Sequence, residues 1–319
     1  MRKNCLILLS FVCSHVYLKA QDLKINKQYI TAPNLINPAF TGNERCLNAN
    51  LIGTFQWLGL TNAPRTYLLD VQKGFNSNPF ESNSKHGLGL TLYSDLNGPF
   101  SFKGIRASYA FHAILSKIQK IRLSLGLSAT TTWYSLNQSM LFRNTAVMPD
   151  NPALNYSMNN SIIPNMAVGG LLYVKKVYLG FSALNLLPLN PSYEQVSVGK
   201  RSYYIIAGYK AYLTQSDIHL EPILMYNMSN NGIQVVDVSL KTTIKQKLGL
   251  GVTYRHSLIS IPGSPNSLAV RLSFYKNHWT YTYVYDLGFN SLQFGSFGNH
   301  EIAIGYRLCG EQKPKCPAY

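Results

Sequence analysis

The chain alternates apolar and polar residues with a period of two in one segment of about ten residues after another, the pattern of a transmembrane β-barrel. Leu248, Leu250, Val252 and Tyr254 fall on one face, and Gly249, Gly251, Thr253 and Arg255 on the other. Leu268, Val270, Leu272 and Phe274 alternate with Ala269, Arg271, Ser273 and Tyr275. Trp279, Tyr281, Tyr283 and Tyr285 do so with Thr280, Thr282, Val284 and Asp286, and Ile302, Ile304, Tyr306 and Leu308 with Glu301, Ala303, Gly305 and Arg307.

About 14 strands are predicted, near residues 46–57, 64–73, 86–94, 101–115, 120–134, 162–174, 177–184, 201–213, 217–227, 232–243, 246–257, 266–276, 278–288 and 299–308. A soluble sandwich would alternate as well, with its apolar face turned to a core. The connections favour the barrel. Turns around Ser116, Lys175, Gln215, Lys245 and Asn277 are short and the one around Asn78 is longer, while 135–161, 185–200, 258–265 and 289–298 are long. Outer-membrane barrels keep short turns in the periplasm and long loops outside. The fold class expected is therefore all-β, a transmembrane antiparallel β-barrel.

The amino terminus sets the compartment. Arg2 and Lys3 precede an apolar run from Cys5 to Tyr17 that closes on Leu18, Lys19 and Ala20. This reads as a secretory signal peptide over residues 1–20, too short to span a bilayer as a helix. An N-terminal segment over 21–45, a barrel over 46–308 and a tail over 309–319 follow. Only 13% of residues are charged, against roughly 25% in an ordinary globular domain, yet the mean hydropathy is −0.04. Loss of the leader, with Arg2, Lys3, Lys19 and no acid, lowers the formal charge from +16 to +13. A basic excess suits an anionic membrane surface or acidic cargo; export argues against nucleic acid.

Cys46, Cys309 and Cys316 remain after the leader, an odd set where disulfides persist. Closure of a barrel brings strand one beside the last strand, so Cys46 and Cys309 should meet near the periplasmic rim. Cys309 with Cys316, and Cys46 with Cys316, are the rival pairings.

The order of motifs from residue 28 to about 308 is similar to that of the PorP/SprF family. It opens with Gln28, Tyr29 and the stretch NLINPAFTG from Asn34 to Gly42, then Gln56, Trp57, Gly59 and Ala63–Thr66. GLGL from Gly87, Asp95 with Gly98 and Pro99, SYAF from Ser108, LSLGL from Leu123, Pro164 with Asn165, Gly180 with Leu184–Leu186, Pro222 with Leu224 and Tyr226, and HEIAIGY from His300 follow. The chain departs from the family pattern at Thr31, Ala32 and Pro33, where most members carry a Met-Phe-Asn-Pro-like run, and in its tail. The resemblance implies an outer-membrane barrel of Bacteroidetes type that works with the type IX translocon. Its partners would be secreted adhesin-like substrates bearing a type IX C-terminal domain, or the periplasmic ring and motor components of that system. Asn37, Pro38 and Ala39, just before strand one, also look like the hatch of FadL-type fatty-acid transporters. They are expected to plug the lumen, beside the simpler reading as a rigid turn.

Charges on the polar faces, Arg106, Arg122, Lys210, Glu221, Asp237, Arg255, Arg271, Asp286, Glu301 and Arg307, must point into the lumen or sit near a rim, and the lumen is expected. A charge on the lipid face at mid-bilayer would cost roughly 2–4 kcal/mol. They would either guide an acidic segment or pair with one another as filling. Trp57, Trp133 and Trp279 fit an aromatic girdle. His112, His219, Ser108, Ser239 and Asp237 fall on polar faces, but no G-x-S-x-G motif or metal-ligand spacing accompanies them, so neither an enzyme nor a cofactor is expected. Two functions remain: a secretion accessory whose outer loops or rim hold an exported partner, and a FadL-like transporter or porin for hydrophobic small molecules.

Overall fold

A computed structural model of the chain describes residues 27–76, 84–137, 160–187, 200–214, 216–230, 232–259, 266–289 and 295–309. The expected signal peptide, the bulk of the long loops at 135–161, 185–200 and 258–265, and the tail with Cys316 lie outside these residues.

The strands are β1 (Leu47–Phe55), β2 (Arg65–Asn76), β3 (Ser84–Asn97), β4 (Phe100–Ser116), β5 (Ile121–Leu136), β6 (Asn160–Val174), β7 (Val177–Leu184), β8 (Ser202–Tyr209), β9 (Ala211–Leu213), β10 (Ile218–Ser229), β11 (Gln234–Ile244), β12 (Leu248–Ser257), β13 (Ser267–Lys276), β14 (Trp279–Gly288) and β15 (Asn299–Leu308). Neighbours pair antiparallel, and β15 returns to pair with β1 from Leu47↔Leu308 to Phe55↔His300, which closes the sheet. β8 and β9 are two lengths of one stave, interrupted at Lys210, and both pair with β10. The barrel thus has 14 staves. The segment expected as one strand over 201–213 is broken where the Lys210 amide bonds to the Lys176 carbonyl at 2.8 Å.

The two faces of the wall are those of a protein turned inside out. On β12, Leu248, Leu250, Val252 and Tyr254 face outward and are exposed, while Gly249, Gly251, Thr253 and Arg255 are buried. Phe274 is 52% exposed, whereas Ser124 and Ser182 are fully buried. A sandwich in water would bury the first set and expose the second; a bilayer accounts for both. Trp133 and Trp279 point outward as a girdle requires, and Trp57 lies half-buried in the β1–β2 connection.

One rim is made of tight reversals. The turns joining β4–β5, β6–β7, β11–β12 and β13–β14 each use a non-glycine residue in the left-handed region, Lys120, Lys175, Lys245 with Gln246, and Asn277. A left-handed residue matches the twist of the flanking strands. This is the periplasmic rim, and the seam lies on it: Cys46, just before β1, and Cys309, just after β15, form a disulfide.

The lumen is not empty. Before β1 the chain makes three 3-10 turns, Lys27–Ile30, Pro33–Leu35 and Pro38–Phe40. Pro33 and Pro38 each open a turn, where the missing N–H costs nothing. Tyr29, Ile36, Ala39 and Phe40 pack on Leu171, Tyr178, Tyr204, Ile206 and Met225 of the wall. On the opposite side Ala32 and Leu35 pack on Ile52, Leu68 and Ala303. Wall side chains alone leave space inside a barrel this wide; the amino-terminal segment fills it.

Candidate functional site

The functional geometry is the bolting of this plug to the inner wall. Asn37 caps its own 3-10 turn by accepting from the Ala39 amide at 2.9 Å. Its Nδ2 donates outward to two wall carbonyls, Gly170 at 3.1 Å and Phe181 at 3.3 Å. Asn37, Pro38 and Ala39 are all buried, so the triplet is at once a rigid turn and the part of the plug that meets β6 and β7. Beside it the Ser182 hydroxyl donates to the Ile36 carbonyl at 2.5 Å.

The strongest bolt is ionic. Arg255 and Asp237 face one another across β12 and β11, and the guanidinium donates from Nε and Nη2 to the two carboxylate oxygens, each at 2.7 Å. This bidentate pairing is the strongest form a carboxylate can accept. The Tyr29 phenol of the plug donates to the same carboxylate at 3.1 Å and lies 3.4 Å from Ser239 Oγ. Burial first, then the Asp237 charge, push that phenol far above its ordinary range, so it keeps its proton and remains a donor.

A second centre is Asp70 on β2, fully buried. It accepts from Asn34 Nδ2 at 2.7 Å, from Thr91 at 2.8 Å and from Gln72 at 3.1 Å. Gln72 in turn accepts from the Gly42 amide at 2.9 Å. Further bolts are Gln28 to Thr54 at 2.7 Å, Arg271 to Thr31 at 2.6 Å and Arg106 to the Leu35 carbonyl at 2.8 Å. Thr31, where the sequence departs from the family pattern, is thus itself a contact point. His112 bridges Ser124 at 2.7 Å and the Thr41 carbonyl at 2.9 Å. Its ring is sealed between wall and plug rather than open to a substrate. His219 stacks on Tyr212 with centroids 4.4 Å apart.

Close approach of the two backbones requires glycine. Gly126 on β5 lies directly beneath the Pro38–Ala39 peptide, and Gly87 on β3 beneath the Thr41 carbonyl; a Cβ at either would overlap plug backbone.

The remaining charges divide into two groups. Glu301 lies 3.6 Å from Arg271; Glu221 accepts from the Tyr178 phenol at 3.2 Å and lies 3.9 Å from Lys241. Arg122 stands 4.2 Å and Lys210 5.8 Å from the Tyr173 ring centroid. Asp286, half-buried, acts electrostatically on Arg255. Arg307 is the correction: its side chain is 58% exposed and pairs with Glu44 at 3.3 Å and Asn48 at 3.1 Å, on the rim rather than in the lumen. It has the inward parity of β15, but the strand has by then left the membrane core.

Asp70 and Gln72 carry much of the attachment and are not singled out by the sequence pattern. The available signal is an acid and an amide on the inward parity of β2, the rule that placed Asp237.

The sequence profile of the family described as "Type IX secretion system membrane protein PorP/SprF" matches residues 18–306. No curated protein sequence matches the chain. Among solved structures, the CymD monoaromatic hydrocarbon channel is similar at 11% identity and a TM-score of 0.53, over 91% of this chain and 94% of that one. The translocator domain of autotransporter NalP from Neisseria meningitidis is similar at 11% identity and 0.39, over 83% and 87%. A Rhodopseudomonas blastica porin triple mutant is similar at 7% identity and 0.37, over 82% and 99%. The CymD likeness is one of fold.

Proposed function

The chain belongs to the PorP/SprF family of type IX secretion system membrane proteins, with residues 18–306 matched, and from that premise we propose that it binds a small set of exported surface proteins and assists their export or anchoring. It is an outer-membrane component of that system, and the proposal concerns what it contributes there. The expected partners are adhesin-like proteins bearing a type IX C-terminal domain, and the protein performs no chemistry of its own.

The observation that supports this reading most is the filled lumen. A polypeptide in transit needs an open passage, and here the axis is taken by the protein's own segment, held through Asp70, Asp237, Arg271 and Asn37. With the passage occupied, recognition is left to the rims, and a binding role follows more directly than a conducting one. A transporter for hydrophobic solutes would need an open apolar lumen, whereas the apolar inward residues Leu171, Ile206, Met225, Ile52 and Leu68 are covered by the plug and the rest of the inward face carries Ser108, Ser124, Thr132, Ser239 and Thr253.

Affinity capture of the tagged protein from outer membranes, followed by mass spectrometry, tests the reading. The expected result is one or a few exported proteins with a type IX C-terminal domain, recovered at a constant ratio to the bait. Recovery of ring and motor components alone would place the protein in the core machinery instead.

A further inference from the structure

On the periplasmic side of the plug the inner wall carries a positive charge that is paired with no acid among the described residues. Lys85, at the start of β3 with its side chain toward the lumen, is only 7% exposed. It has no hydrogen-bond or ion-pair partner among the described residues. The charges that reach it are those of Arg122 and Arg45, both of its own sign. Glu44, beside Arg45 in the chain, pairs with Arg307 on the rim at 3.3 Å.

Other lumen arginines are provided for. Arg255 has Asp237, Arg271 has Glu301 and Thr31, and Arg106 has the Leu35 carbonyl. Arg122 is only half provided for. Tyr173 covers the face of its guanidinium, but Nε is buried with no hydrogen-bond partner.

The register brings these two cations to one place. Lys85 lies opposite His112, and His112 opposite Ser124. Arg122 is two residues from Ser124 on the same face of β5, one step nearer the periplasmic rim. With strands about 4.8 Å apart and a rise of about 3.4 Å per residue, the two Cα atoms are about 12 Å apart. Lys and Arg side chains are long enough to span that gap with one small group between them, Arg122 by swinging from the Tyr173 ring it now covers. His112 between them is already engaged by Ser124 and Thr41.

A buried ammonium whose nearest charges among the described residues are cations is costly unless an anion joins it. We infer that Lys85 and Arg122 form an oxyanion site in the periplasmic mouth of the lumen, which takes one carboxylate or phosphate group. Arg45, exposed at the same mouth, draws the anion in. The site is independent of the proposed role in secretion, since its two ligating residues, Lys85 and Arg122, belong to the barrel wall. The group could come from a free phosphate or from a carboxylate of a polypeptide; the chemistry recognised is the same.

The test uses the full-length protein in detergent, in chloride buffer at fixed ionic strength, with unfolding followed by heat-modifiable gel migration. Inorganic phosphate is expected to raise the unfolding midpoint saturably, because a ligand of the folded state stabilises it by mass action. Lys85→Met and Arg122→Met are expected to lose that shift. In the absence of oxyanion Lys85→Met should unfold no earlier than wild type, since it removes an unbalanced buried charge; lost response then cannot be ascribed to a damaged fold. A short peptide with a free C-terminal carboxylate, run against its C-terminal amide, separates the sources. A saturable shift with phosphate, or with the free acid and not the amide, supports the site and identifies its supplier. No saturable shift with any probe in wild type, or the same shift in Lys85→Met, would overturn it.

Discussion

Replacing Asp237 by alanine is expected to destabilise the folded barrel by about 3–5 kcal/mol, the cost of leaving a buried ion without its partner. The Arg255 side chain is only 10% exposed, and its guanidinium donates two hydrogen bonds to that carboxylate. The Tyr29 phenol loses its acceptor at the same time, so the change strikes the wall and the plug together. The measurement is urea-driven unfolding in lipid vesicles, followed by tryptophan fluorescence. Arg255→Met in the same chain should recover much of the loss, because the pair as a whole contributes little net stability once both charges are gone. If Asp237→Ala unfolds at the wild-type urea concentration, the carboxylate is not the anchor described here.

Gly126→Leu is expected to unseat the plug more often while leaving the barrel assembled. A Cβ at this position overlaps the Pro38–Ala39 peptide, and the overlapping atoms are backbone, which cannot rotate away as a side chain would. Overpacking of this kind costs about 1–3 kcal/mol, which raises the fraction of molecules with an unseated plug by roughly 5- to 150-fold. Planar bilayer recordings should then show stepwise conductance where wild type is silent. Protease added from the periplasmic side should cut between residues 27 and 43. Silent bilayers together with wild-type protease protection would mean that the plug tolerates the added bulk.

Much of this architecture is legible in the sequence, because the wall obeys a local rule. A period of two is visible within each segment, so the strands, the short and long connections and the inward parity of Asp237, Arg255, Arg271 and Glu301 all follow from near neighbours along the chain. The plug obeys no such rule. Its bolts join residues far apart, Tyr29 to Asp237 and Asn37 to Gly170, and only the Asn-Pro-Ala triplet marks the segment. Asp70 is easily passed over, since a single acid on a strand looks like any lumen charge until Asn34, Gln72 and Thr91 are seen around it. Arg307 misleads for the opposite reason: parity tells which way a side chain points, and not whether the barrel still surrounds it. The break at Lys210 has no sequence signal that we can name.

We propose that this outer-membrane protein confers specificity on type IX export by binding particular partners. Quantitative mass spectrometry of the cell-surface and secreted fractions of a strain lacking it tests that most directly. The expected result is the loss of one or a few adhesin-like proteins, restored by the wild-type gene, while other type IX cargo reaches the surface at wild-type levels. A general block of type IX export, or unchanged export of every cargo, would contradict it.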